Sequence, residues 1–139
     1  VEVRKETKLT HIDQFKEAIR PCVDKQAESQ YYAKVFQALR IEVNEELESL
    51  KEMLLETANV LATQGRLVVL SYHSLEDRIV KNFFRESASK YIKSDSPYGD
   101  EEKTPLLKIL TKKALVPSIK EIKSNSRSRS AKLRAAEII

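Results

Sequence analysis

Behind Thr10 and Asp13, which have capping-box spacing, Ile12, Phe15 and Ile19 recur at helical intervals and Pro21 follows. That pattern predicts a short helix over residues 11–20. Residues 21–29 lack periodicity and read as a link. From Tyr32 onward, Phe36, Leu39, Val43, Leu47, Leu50, Leu54, Ala58 and Leu61 step by three or four without a break, which predicts one long amphipathic helix ending before Gly65. Residues 66–72 are apolar, β-rich and too short for a helix. They predict a buried strand, parallel to its neighbours because one helix leads in and another leads out. Ser74 and Asp77 repeat the capping-box spacing, and Leu75, Ile79, Phe83 and Phe84 supply the stripe of a helix over residues 75–88. Residues 94–105, with two prolines, a glycine and four acids, read as a flexible surface loop. Residues 108–116 have strand character up to Pro117, Ser118 and Glu121 suggest a brief helical turn, and residues 125–130 form a polar, basic linker. Ala131, Leu133 and Ala135 then alternate with Lys132, Arg134 and Ala136, which fits a final strand with a basic outer face. Helix, strand, helix and two strands make half of an open α/β sheet, a piece of a doubly wound domain.

Composition narrows the chemistry. At 139 residues the chain suits one domain with a modest core. It has two glycines where about ten are expected, too few for a Gly-x-Gly-x-x-Gly turn or a phosphate-cradling loop. The single Cys22 excludes an intramolecular disulfide and a Cys-rich zinc site, and fits a reducing, cytoplasmic setting. No apolar run is long enough to span a membrane, no secretory signal is visible, and a start at Val1 points to a processed, trimmed or partial product. The net charge of +4 hides an asymmetry: residues 108–134 hold nine Lys or Arg against Glu121 alone, so this stretch carries +8 and the remainder −4. A concentrated basic stretch on a slightly acidic body points to a polyanion partner, with a solvated basic surface as the plain alternative.

Ser71, His73, Ser74, Glu76, Asp77 and Arg78 cluster at the carboxyl end of the predicted strand, the edge at which open α/β sheets bind ligands. His73 and Asp77 are the candidates for direct chemistry, and Ser71, Ser74 and Arg78 for facing a substrate. In the alternative reading Ser74 and Asp77 only cap the helix and His73 serves backbone groups at the turn. A Ser-His-Asp hydrolase does not fit, because there is no Gly-x-Ser-x-Gly elbow and residues so close in sequence rarely converge as a triad. Two histidines far apart, His11 and His73, make no metal site. Gln37, Arg40 and Asn44 share one face of the long helix, and Gln and Asn are poorer choices than Glu or Lys for a merely solvated face. In residues 126–134, Arg127, Arg129, Lys132 and Arg134 alternate with small hydroxyl or apolar residues, a composition suited to RNA phosphates. No aromatic residue is interleaved to stack on bases, so this stretch positions RNA rather than reads it.

Phe-Gln-Ala-Leu-Arg-Ile-Glu-Val-Asn-Glu-Glu-Leu over residues 36–47, Gly-Arg-Leu-Val-Val-Leu-Ser-Tyr-His-Ser-Leu-Glu-Asp-Arg-Ile-Val-Lys over 65–81, and Asn-Ser-Arg-Ser-Arg-Ser-Ala-Lys-Leu-Arg over 125–134 together resemble the MraW/RsmH methyltransferases. Enzymes of that family transfer a methyl group from S-adenosylmethionine to N4 of a cytidine in bacterial small-subunit ribosomal RNA. The resemblance implies the carboxyl-terminal half of a Rossmann-like methyltransferase sheet, with residues 1–30 as the end of an inserted helical subdomain and 31–139 as part of the methyltransferase domain. It also implies that S-adenosylmethionine is held by a glycine-rich first half absent from this sequence, that the piece alone is inactive, and that it self-associates as a homodimer to hide the faces that half would cover. The partner it implies is small-subunit ribosomal RNA, with no membrane. Three departures stand out: Gln30-Tyr31-Tyr32-Ala33-Lys34 replaces a segment usually like His-Pro-Ala-Thr-Arg, Tyr72 stands for Phe, and Ser126 stands for Pro. A non-catalytic RNA-binding or assembly module on the same scaffold is the alternative from another class.

Overall fold

The computed structural model describes residues 3, 5, 8–24, 26–92 and 101–139, and the chain divides into two compact units, Val1–Glu46 and Leu47–Ile139. In the first unit, α1 (Ile12–Ile19) is followed by a 3₁₀ turn, Arg20–Cys22, and then by α2 (Glu28–Val43). Gln14, not Asp13, closes the start of α1: its Oε1 accepts from the Thr10 N–H at 2.9 Å and from the His11 N–H at 3.2 Å. Phe15 of α1 meets Phe36 of α2 with ring centroids 6.0 Å apart, and Lys16 Nζ lies 5.9 Å from the Tyr32 ring centre.

The long helix expected from the apolar stripe is interrupted. α2 ends at Val43, Asn44 caps it, Glu45 takes a left-handed φ of 50°, and α3 (Glu46–Val60) starts afresh. Arg40 Nε lies 2.8 Å from Glu46 Oε1, and Asn44 Nδ2 donates to the same oxygen at 3.3 Å, so side chains from both sides of the break hold it closed. The stripe loses its burial there too, for Leu39 and Val43 are exposed.

The second unit is built on three antiparallel strands in the order β1-β5-β4, namely β1 (Arg66–Ser71), β4 (Leu107–Ile109) and β5 (Lys132–Ile138). β1 leads into α4 (Ser74–Ser87), then β2 (Tyr91–Ile92) pairs with β3 (Glu101–Glu102), and α5 (Ile119–Ser124) and a 3₁₀ helix, Ser126–Ser130, precede β5. The register sets Leu67 opposite Ala136, Val69 opposite Arg134 and Ser71 opposite Lys132, which places these side chains on one face. On that face Leu54 of α3, Val80 and Phe84 of α4, Leu107, Ala136 and Ile138 form the core, with Leu50, Leu61, Leu67, Val69 and Ile79 packed against it.

Four expectations change. β1 is antiparallel to its only described partner, β5, and is an edge strand rather than a buried one: helices α3 and α4 pack on one face, leaving Val68 and Leu70 on the other 56% and 49% exposed. The strand expected over residues 108–116 shortens to β4, after which Thr111 and Leu115 return to β5 through bonds to Ala135 and Leu133. The expected loop closes at its base through Tyr91↔Glu102, and its residues 94–100 lie outside the described set. The supposed linker is helical, capped by the Asn125 side chain accepting from the Arg127 N–H. The brief turn at Ser118 is present, its hydroxyl accepting from the Glu121 N–H at 3.2 Å. No described helix is long and apolar enough to cross a membrane.

Candidate substrate-facing site

Ser71 ends β1 with 2% of its surface exposed, and the chain turns through Tyr72 and His73 into α4. His73 occupies the N-cap in an extended conformation, and its Nδ1 accepts from the Glu76 N–H at 3.4 Å. Glu76 reaches back, its Oε2 accepting from the Tyr72 N–H at 2.9 Å and the His73 N–H at 3.3 Å. This reciprocal pair satisfies the free donors at the helix start. The cap is therefore His73 with Glu76, one residue before the expected Ser74 with Asp77. The ring's Nε2 is buried, makes no hydrogen bond, and lies 3.0 Å from Glu76 Oε1.

Asp77, released from capping, turns beneath the helix. Its Oδ1 accepts from Arg134 Nε at 2.7 Å and its Oδ2 from Lys132 Nζ at 3.2 Å. The Asp77 and Arg134 side chains are each 11% exposed. The Arg134 guanidinium bonded to it, with Lys132 beside it, holds the Asp77 carboxyl below its ordinary pKa against the opposing effect of burial. This overturns the expected basic outer face of the final strand. Lys132 and Arg134 share the inner face with Ala136 and Ile138 because a buried acid on α4 awaits them.

The remaining candidates separate by exposure. Ser74 and Arg78 are exposed on the first turns of α4. Arg127 and Arg129 are exposed on the 3₁₀ helix, while Ser128 between them is buried and its hydroxyl donates to the Asn125 carbonyl at 2.7 Å. In the first unit Gln37 is exposed, and Arg40 and Asn44 both engage Glu46. Sequence reasoning did not single out Glu76 as the capping acid, although its spacing from His73 carried the signal. Nor did it single out Lys112, Lys113, Lys120 and Lys123, all exposed and all within the basic stretch.

At the carboxyl end of β1, Glu76 is committed to Tyr72 and His73 and Asp77 to Arg134 and Lys132, so no free acid is offered to a ribose. Gly65, just before β1, packs against the preceding turn, where a Cβ would meet the Ala62 carbonyl oxygen at 2.7 Å. A cleft of about 480 Å³ lies at the far end of α4, lined by Arg85, Glu86, Ser89, Tyr91, Ile92 and Lys103, away from the His73 turn.

All of residues 1–139 match the MraW methylase family model. The Ribosomal RNA small subunit methyltransferase H of Parabacteroides distasonis is 46% identical over 99% of this chain and 44% of its own length. The protein of the same name from Rickettsia bellii is 45% identical over 100% of this chain and 47% of its own length, and that of Chloroherpeton thalassium 48% identical over 100% and 44%. The chain thus spans less than half the length of these relatives.

Proposed function

The chain belongs to the MraW methylase family, and from that membership we propose that it serves as the carboxyl-terminal part of an enzyme methylating N4 of a cytidine in small-subunit ribosomal RNA. The observation that carries this is the match over the whole chain, at about the same identity to each methyltransferase H quoted above. S-adenosylmethionine is the donor this chemistry requires. Glu76 and Asp77 at the end of β1 are already engaged, so we assign its binding to the part of the relatives' length outside the match, and the chain alone to an inactive state. The work is placed in the cytoplasm, where ribosomal RNA is available.

Within that division this chain orients RNA. His73 is the residue we assign to the target nucleotide: it stands at the turn between β1 and α4, and its reciprocal cap with Glu76 fixes its ring. Ser74, next in sequence, and Arg78, just over one turn along, are exposed, and we assign them to the flanking backbone. Asp77 is a positioning residue, since its carboxylate is consumed by Arg134 and Lys132. Those two cations therefore hold α4, and phosphate contact falls to Arg127 and Arg129. Gln37 supplies a polar surface on α2, while Arg40 and Asn44 secure the helix break.

The test uses the full-length enzyme on isolated small ribosomal subunits with labelled S-adenosylmethionine. His73→Ala is expected to slow transfer by about 100-fold, as misplaced reactants do, without loss of RNA binding. An unchanged rate removes His73 from the site. Nucleoside analysis of the product checks the position, and any methylated nucleoside other than N4-methylcytidine contradicts the assignment. Calorimetric titration of the 139-residue chain with S-adenosylmethionine is expected to show no tight binding.

A further inference from the structure

The strongest feature of the second unit that the reading above leaves largely unused is a set of cations with no ion-pair partner among the described residues, of which only Arg127 and Arg129 have been given a role. Lys112 and Lys113 follow β4, Lys120 and Lys123 lie on α5, and Arg127 and Arg129 lie on the 3₁₀ helix, all exposed. The only acid among residues 110–130 is Glu121. None of the six cations takes part in an ion pair among the described residues, whereas Lys132 and Arg134, next in sequence, are both consumed by Asp77. The stretch is also anchored: Thr111 bonds to Ala135 and Leu115 to Leu133, which ties its start to β5, and the Ala131 N–H donates to the Ser128 carbonyl where the stretch leads into β5. α5 and the 3₁₀ helix are capped by Ser118 and Asn125, which gives their cations a defined backbone. Six unpaired like charges on an ordered scaffold repel one another, and a polyanion relieves that repulsion.

We propose that residues 110–130 form an RNA-backbone-binding surface that works without the cofactor and without the rest of the enzyme, and that its ligand is a helical stem. The choice of a stem over a single strand comes from composition. No Phe, Tyr or Trp occurs among residues 110–130, so there is no platform for unstacked bases, while cations and hydroxyls suit the phosphates of a helix. This rests on the ribosomal RNA reading for the identity of the polyanion, but not on methyl transfer by this chain.

The experiment follows binding of a labelled RNA hairpin to the 139-residue chain by fluorescence anisotropy across a salt series. Binding is expected at low salt, with affinity nearly unchanged when the stem sequence is scrambled and weaker for an unstructured strand of the same length. Substituting Lys112→Gln, Lys113→Gln, Lys120→Gln and Lys123→Gln together is expected to cost at least tenfold in affinity at low salt. It should flatten the slope of log affinity against log salt by roughly 0.7–0.9 for each phosphate that is no longer neutralised. A control with Lys51→Gln, Lys81→Gln and Lys90→Gln, exposed lysines elsewhere in the unit, should leave the slope unchanged. No binding at low salt, an unchanged slope in the quadruple variant, or an equal loss in the control overturns the proposal. Circular dichroism of each variant separates lost binding from lost fold. Because methyl transfer is read separately in the full-length enzyme, either proposal can fail without the other.

Discussion

Removing the Arg134 side chain leaves the Asp77 carboxylate buried with Lys132 as its one remaining partner, at a cost of about 3 kcal/mol of stability. Urea denaturation of Arg134→Ala against the parent chain measures this. The pair also carries a pH signature. Because Arg134 lowers the Asp77 pKa in the folded chain, its contribution is present above the unfolded aspartate value of about 3.9 and is lost as pH falls through the lower folded value. The stability gap between the parent and Asp77→Asn is therefore expected to be constant near neutrality and to shrink below about pH 4. A gap that persists to pH 2 contradicts the assignment. Asp77 also marks the limit of what is legible at this scale. Ser74-x-x-Asp77 and His73-x-x-Glu76 are the same pattern offset by one position, and nothing local chooses between them. The deciding partner, Arg134, is 57 positions away. His73, by contrast, could be singled out from its place at the end of an apolar run.

At the level of elements, the start of α4 depends on Glu76, whose carboxylate accepts from two backbone N–H groups. Glu76→Ala is expected to destabilise the second unit by about 1 kcal/mol, measured as a fall in Tm. The approach to β1 offers a contrasting pair. Gln64 holds a left-handed φ of 67°, so Gln64→Gly should stabilise by up to about 1 kcal/mol. Gly65→Ala should destabilise by roughly 1–3 kcal/mol, because its Cβ would collide with the Ala62 carbonyl. Equilibrium unfolding of the two variants should therefore move in opposite directions. Helices and strands were readable wherever apolar spacing was strong, as in α1, β1, α4 and β5. The break between α2 and α3 was not, since Asn44 and Glu45 interrupt the backbone without interrupting the stripe. For β5 the alternation was legible but its facing was not. Small and charged residues alternate there, and cations point inward only because an acid from another element meets them.

Across the whole molecule, the expected mixture of helices and strands is present, with the described strands of the second unit forming a three-stranded antiparallel sheet in place of the doubly wound half expected from element order. Its strand directions depend on pairings that no local pattern records. β1 is apolar on both faces, yet only one is covered, leaving Val68 and Leu70 exposed along with Leu115 and Val116. The isolated chain is expected to self-associate through this face, and light scattering should show Val68→Thr with Leu70→Thr shifting it toward monomer. A monomeric parent chain contradicts this. The strand order has a further consequence in time. β5 lies between β1 and β4 but is synthesised after both, and Arg66 meets its partner Glu137 only 71 positions later. Among the described strands, β1 and β4 therefore emerge from the ribosome without their partner in this sheet, which cannot close until the strand between them is made. Losing β5 would remove the keystone rather than an edge, and the nascent chain spends its synthesis with a sticky, unfinished surface that a chaperone would recognise.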